Sequence, residues 1–231
     1  MADLTNFPST DDLNRRLAQR IITELQKGIT SKGKASLVVS GGKTPLGLFK
    51  LLSQQPLEWD KVTITLADER WVDCHDEASN EKLVRENLIQ DQAATAQFVS
   101  LKNDSLTPFD GAAGIEKSLK DIVKPFDVVI LGMGDDGHTA SLFPGAENLF
   151  PALDMKSKKL CMGMTPLTAP LDRLTLTLPA LLNSRQIFLH LVGENKRVVY
   201  HQAQEGNDVN EMPVRAIIHQ TQTPVDVFWS A

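Results

Sequence analysis

Long apolar runs, a basic excess and a cysteine framework are all missing from this chain of 231 residues. No stretch approaches the roughly 20 apolar residues that a bilayer-spanning helix needs, which excludes a helical membrane protein. The start, Met1-Ala2-Asp3-Leu4-Thr5-Asn6, shows neither a basic leader nor an apolar core of signal-peptide length, so a cytoplasmic location is expected. Lys and Arg number 24 against 29 Asp and Glu, a formal net charge of -5. Without a global basic field, neither nucleic acid nor a membrane is an expected partner, and an anionic ligand must be held by local basic groups. The two cysteines, Cys74 and Cys161, fit a reducing compartment and no disulfide network. Internal repeats, low-complexity tracts and linkers are missing too. With 42% hydrophobic residues, one α/β domain over 1–231 is the economical reading.

What is present alternates between strand-like and helix-like segments. Leu13, Leu17, Ile21, Ile22 and Leu25 recur at helical spacing between Thr10 and Gly28, a plausible stop. Ser36 to Ser40 reads as a buried strand, and Pro45 opens a helix carrying Leu46, Leu48, Phe49, Leu51 and Leu52. Val62 to Ala67 is the next strand, followed by a loop at Asp68-Glu69-Arg70-Trp71-Val72 and helices at about 79–88 and 114–123. Phe98-Val99, Val128 to Leu131, Lys159 to Met162, Arg173 to Leu178, Ile187 to Val192 and Val225 to Trp229 are further strands. In Arg173 to Leu178 the leucines and threonines alternate, which predicts two unequal faces. Gly193-Glu194-Asn195-Lys196 opens another helix. The alternation implies a mostly parallel sheet flanked by helices, with a small antiparallel addition around 159–180.

The chemistry concentrates after the apolar run Val128-Val129-Ile130-Leu131, in Gly132-Met133-Gly134-Asp135-Asp136-Gly137-His138-Thr139-Ala140-Ser141. Ligands of open parallel sheets bind beyond the carboxyl ends of strands, which is where His138 falls. An imidazole accepts and returns protons near neutrality, and Asp135 or Asp136 can orient it. Ser40-Gly41-Gly42-Lys43-Thr44-Pro45 sits between strand and helix, where amides, the Thr44 hydroxyl and the helix N-terminus converge on an anion. It is neither a P-loop nor a dinucleotide fingerprint. Arg70 supplies a guanidinium suited to bidentate phosphate recognition, and Arg173 and Lys196 lie near the same sheet edge. Asp73-Cys74-His75-Asp76-Glu77 has ligand-type residues, but its spacing matches no tetrahedral zinc pattern. An anion cradle, an arginine and a base on three loops point to a phosphorylated small molecule.

These motifs resemble the 6-phosphogluconolactonases related to glucosamine-6-phosphate deaminases. Ser-Gly-Gly-Lys-Thr-Pro at 40–45, Ala-Asp-Glu-Arg-Trp-Val at 67–72 with Ser79-Asn80, and the glycine-rich histidine segment at 132–145 carry the likeness. Residues 173–177 and 193–196 extend it more loosely. The proline-rich loop at 165–170 lacks the lysine often found there, so no contact is assigned to it. The resemblance implies a modified Rossmann-like α/β fold and hydrolysis of 6-phospho-D-glucono-1,5-lactone to 6-phospho-D-gluconate in the oxidative pentose phosphate pathway, without metal or organic cofactor.

On that reading His138 is the general base, while Asp68 and Asp136 orient water, histidine or sugar hydroxyls. Arg70 takes the phosphate, supported by Gly41, Gly42, Lys43, Thr44, Arg173 and Lys196. The oxyanion donors come from the Gly41-Gly42 turn or from the turn at 135–138. Ser141 lies three residues after His138 on what reads as a helix, yet no nucleophile-elbow sequence surrounds it. Monomer and homodimer both remain open. The rival enzyme is a glucosamine-6-phosphate deaminase/isomerase. Those tend to carry an aromatic residue after the acidic pair and a glutamate soon after the histidine; here stand Arg70 and Thr139-Ala140-Ser141-Leu142-Phe143-Pro144. A non-catalytic sugar-phosphate sensor on the same fold is the rival of another class.

Overall fold

Short aliphatic and β-branched runs form most of the strands: β1 (Leu4–Phe7), β2 (Ala35–Val39), β3 (Val62–Leu66), β4 (Asp68–Arg70), β5 (Gln97–Val99), β6 (Val128–Leu131), β7 (Cys161–Met164), β8 (Arg173–Leu176), β9 (Ile187–Val192) and β10 (Val225–Ser230). The computed structural model describes residues 4–231, so the reading of residues 1–3 lies outside the described residues. Seven strands pair in the order β1-β10-β9-β6-β2-β3-β5, all parallel. The other three form an antiparallel sheet, β4-β8-β7. Every residue of β2 and of β6 is buried, as expected of parallel strands covered on both faces.

The helices are α1 (Thr10–Lys32), α2 (Leu46–Ser53), α3 (Asn80–Asn87), α4 (Pro108–Asp121), α5 (Leu149–Leu153), α6 (Leu178–Leu182), α7 (Glu194–Glu205) and α8 (Arg215–Ile218). The Ser9 hydroxyl caps α1 by accepting from the Asp12 N–H, and Leu13, Leu17, Ile21 and Leu25 form its buried stripe. Contrary to the expected stop at Gly28, α1 continues to Lys32, whose ammonium meets the fully buried Asp127 carboxylate at 2.8 and 2.9 Å. Asp127 also accepts from the Ser36 N–H at 2.9 Å, tying the helix end to the start of the interior strand β2. Replacing a wholly buried sheet leucine such as Leu37 by alanine would cost about 2–5 kcal/mol.

Three expectations are corrected. Asp68-Glu69-Arg70 is strand β4, held through a ladder to β8. Both faces of β8 are covered, its threonine side as fully as its leucine side: Leu174, Leu176, Thr175 and Thr177 are all inaccessible. The segment after His138 is not helical. It is a chain of turns with Ala140 at φ 48°, stitched by a bridge between Thr139 and Leu142.

Chain order around β2 positions the site. From β2 the chain moves outward to β3 and β5, then returns to the other flank of β2 with β6 and proceeds to β9 and β10. The reversal opens a crevice beyond the carboxyl ends of β2 and β6, where ligands of such sheets bind.

Candidate active site

A cleft of about 240 Å³ fills this crevice. Its wall after β2 is Ser40, Gly41, Gly42, Thr44 and Pro45; after β3 come Asp68, Arg70 and Asn80; after β6, Gly132, Met133, Gly134, His138, Thr139 and Ala140; and at β9, His190, Leu191, Val192 and Lys196. Four adjacent strands thus deliver the expected loops to one edge. Gly41, Gly42, Thr44, Asp68, Arg70, His138 and Lys196 all line the cleft. Asp136 adjoins it through His138. Two expected residues do not line it: Lys43 is exposed on the same turn, and Arg173 is buried in the small sheet behind Arg70.

The histidine loop closes on itself. The Gly134 N–H donates to the His138 carbonyl at 2.8 Å, and the Thr139 hydroxyl donates to the Gly132 carbonyl at 2.8 Å. The imidazole lies directly over Gly134, where a Cβ would collide with the His138 ring and with Asp136 Oδ1. On its flank the Phe143 ring packs tilted against it at a centroid distance of 4.3 Å. His138 Nδ1 is 2.5 Å from Asp136 Oδ1, which also accepts the His138 backbone N–H at 3.1 Å. Partial burial pushes the Asp136 carboxyl up, but its bonds to His138 outweigh this and leave its pKa below the ordinary value. An ionised Asp136 fixes the proton on Nδ1 and leaves the Nε2 lone pair free. Neighbouring Asp135 turns away, accepting from Lys196 Nζ at 2.5 Å and from Asn195 at 2.9 Å; the Lys196 bond depresses its pKa.

Opposite stands the β4 corner. Asp68 Oδ2 accepts the Ser141 hydroxyl at 2.6 Å, and Ser141 is wholly buried. The serine therefore faces Asp68 rather than His138, and it is not available as a nucleophile. Arg70 donates to the Ala78 carbonyl at 2.6 Å, which holds the guanidinium along the α3 entry. In the β4–β8 ladder Arg70 is registered against Arg173, whose pKa is lowered by burial and then by the Arg70 charge. Arg173 donates to the Leu171 carbonyl at 2.6 Å.

Glu69 and Asn80 carry structural work that the sequence did not assign to them. Buried Glu69 accepts from the N–H groups of Arg70, Asn80 and Glu81 and from the Ser79 hydroxyl, at 2.7 to 3.1 Å. Burial raises its pKa, with these bonds pulling against that rise. It thereby caps α3 and fixes Arg70 on one side and Asn80 on the other. The Asn80 amide donates to the Asp68 carbonyl at 2.9 Å, while its Oδ1 is buried and unpartnered at the cleft. Only glycine fits at position 41, because a Cβ there would strike the Asn80 side chain. The available signal was Asp-Glu-Arg followed by Ser79-Asn80, an acidic residue placed to meet a helix start.

The donor atoms of Asp73, Cys74 and His75 lie within 4.8 Å of one another, away from the cleft lining. Among the described residues no helix is long and apolar enough to cross a membrane.

Residues 8–229 match the family model described as glucosamine-6-phosphate isomerases/6-phosphogluconolactonase. A 6-phosphogluconolactonase of Rhizobium meliloti is 39% identical over 229 residues, 99% of this chain and 99% of its own length. One from Mesorhizobium japonicum is 41% identical over 224 residues, 97% of this chain and 93% of its own. The crystal structure of a 6-phosphogluconolactonase from Shewanella baltica superposes with a TM-score of 0.98 at 52% identity, covering 100% of this chain and 98% of that one. With its parallel sheet, antiparallel three-stranded addition and histidine loop, the chain belongs to the glucosamine-6-phosphate isomerase/6-phosphogluconolactonase family.

Proposed function

We propose that this protein hydrolyses 6-phospho-D-glucono-1,5-lactone to 6-phospho-D-gluconate, with His138 as general base. The observation that carries the mechanism is the Asp136–His138 pair at 2.5 Å on the rim of a cleft that also presents Arg70. Nε2 takes a proton from water as the water oxygen bonds to C1 of the lactone. The tetrahedral intermediate then expels the ring oxygen, which receives that proton from the imidazolium, and His138 returns to its starting state. A lactone carbonyl is already electrophilic, so these steps need neither a covalent nucleophile nor a cofactor.

Arg70 binds the phosphate, with Gly41, Gly42, Thr44 and the N-terminus of α2 as further donors. No side chain caps α2; the Leu46 N–H is taken by the Lys43 carbonyl at 3.3 Å, and the amides that follow it in the first turn are the ones that would meet an anion. Lys196 adds positive charge from β9's end while its bond to Asp135 fixes its direction. Arg173, behind Arg70, contributes field rather than contact, and the exposed Lys43, outside the cleft lining, contributes charge alone. Asp68, aimed by Ser141, and Asn80 Oδ1 accept sugar hydroxyls. Unpaired Cys74 and Cys161 support a reducing, cytoplasmic setting.

The test is turnover of freshly generated 6-phosphogluconolactone in chelator, coupled to 6-phosphogluconate dehydrogenase, with spontaneous hydrolysis subtracted. Acceleration over background is expected. No acceleration, with release of ammonia from glucosamine 6-phosphate, would replace the lactonase by the deaminase.

A further inference from the structure

Strand β9, Ile187-Phe188-Leu189-His190-Leu191-Val192, is apolar except at His190. That residue is 3% exposed, and neither Nδ1 nor Nε2 has a hydrogen-bond partner. An imidazole carries two hydrogen-bonding nitrogens, and burying both unmet opposes folding. A leucine in its place would carry no such penalty. Burial lowers the pKa of His190 to about 4, so at neutral pH the ring is uncharged, with one donor and one acceptor. Such a ring is too weak a base to share the role of His138, but it complements a sugar hydroxyl, which also both donates and accepts.

Its position gives this a direction. Leu189 is registered against Leu131, so His190 stands one step further along, level with the start of the histidine loop at Gly132. The residue lines the cleft beside Leu191 and Val192. We propose that His190 is a substrate-binding residue whose imidazole turns into the cleft and exchanges hydrogen bonds with a hydroxyl of the bound sugar phosphate. The assignment rests on the sugar-phosphate reading of the site. Folding leaves the ring unmet, and ligand binding meets it.

His190→Leu and His190→Gln are compared with wild type for KM, kcat and Tm, with and without 6-phosphogluconate. His190→Leu is expected to match or exceed the wild-type Tm without ligand, to raise KM roughly tenfold or more, and to lose part of the Tm gain given by 6-phosphogluconate. His190→Gln, which keeps a donor and an acceptor, recovers part of that loss. A purely structural histidine predicts the reverse: a lower Tm with an unaltered KM. Should the leucine variant fail to fold, nitrogen-15 NMR of the wild-type ring decides, because ligand addition must shift the His190 nitrogen signals. An unchanged KM in a folded His190→Leu, or unshifted signals with 6-phosphogluconate bound, overturns the proposal. Absence of lactone turnover in wild type overturns the lactonase reading and this assignment with it.

Discussion

Ser141 and Asp68 meet at 2.6 Å across 73 positions of sequence, joining the histidine loop after β6 to the β4 corner. The contact fixes the distance between the two halves of the cleft. It also gives the serine of an Asp/His/Ser trio a duty incompatible with nucleophilic attack.

Ser141→Ala should therefore slow the enzyme without silencing it. Removing the hydroxyl leaves a buried carboxylate short of one donor, a loss of about 1–3 kcal/mol of stability. Steady-state kinetics and thermal melts check this. Complete loss of activity in a folded variant would instead point to the serine as nucleophile.

Gly134→Ala puts a methyl group where the His138 ring and Asp136 Oδ1 now lie. If this pair activates water as proposed, displacing it by about 1 Å costs on the order of 100-fold in rate. kcat should fall by that order while the melting temperature changes little, since the loop lies outside the sheet core.

Arg70→Ala should raise KM for the phosphorylated lactone and lower kcat/KM roughly 10- to 100-fold, equivalent to about 1.4–3 kcal/mol. Glucono-1,5-lactone, lacking the phosphate, provides the control: wild type and variant should treat it alike. Equal discrimination by both proteins would move phosphate recognition elsewhere in the cleft.

Asp136 gives a stability prediction with a definite sign. Its folded pKa lies below its ordinary value, so the folded state binds fewer protons there than the unfolded chain. Its contribution is complete above the unfolded carboxylate pKa, near 4, and is lost as pH falls through the depressed folded value. Asp136→Asn should flatten the acid side of the stability profile below about pH 4. Urea denaturation at stepped pH measures it; an unaltered acid limb would contradict the assignment.

Glu69 titrates in the opposite sense, being raised by burial, yet its four accepted bonds make it hard to replace. Glu69→Gln sets an amide NH2 against N–H donors and should destabilise by about 1–3 kcal/mol. Activity should drop as well, since Arg70 and Asn80 are both hung from this carboxylate.

Local pattern was enough for the parallel core. The aliphatic runs of β2, β6 and β9 and the cleft loops that follow them are readable because each is specified within a few residues. β4 was not, because a three-residue strand of charged side chains exists only through pairing with β8 more than a hundred residues later. The same distance hides the full burial of Thr175 and Thr177. The supposed helix after His138 fails at Ala140, whose positive φ breaks the spacing that would have put Ser141 on the histidine's face. Thr107-Pro108-Phe109-Asp110 shows the opposite case: a readable cap and N1 proline start α4 well before Gly114, where the apolar pattern becomes clear. In the site, His138, Asp68 and Arg70 announced themselves by residue type, whereas Glu69 and Asn80 act through backbone partners and His190 reads as one more strand residue.

In the proposed mechanism His138, held by Asp136, activates water. Background-corrected kcat of His138→Ala beside wild type, in chelator and with 6-phosphogluconate affinity measured on both, tests it most directly. kcat is expected to fall roughly 10²–10⁴-fold with product affinity largely kept. Wild-type turnover in His138→Ala would contradict it.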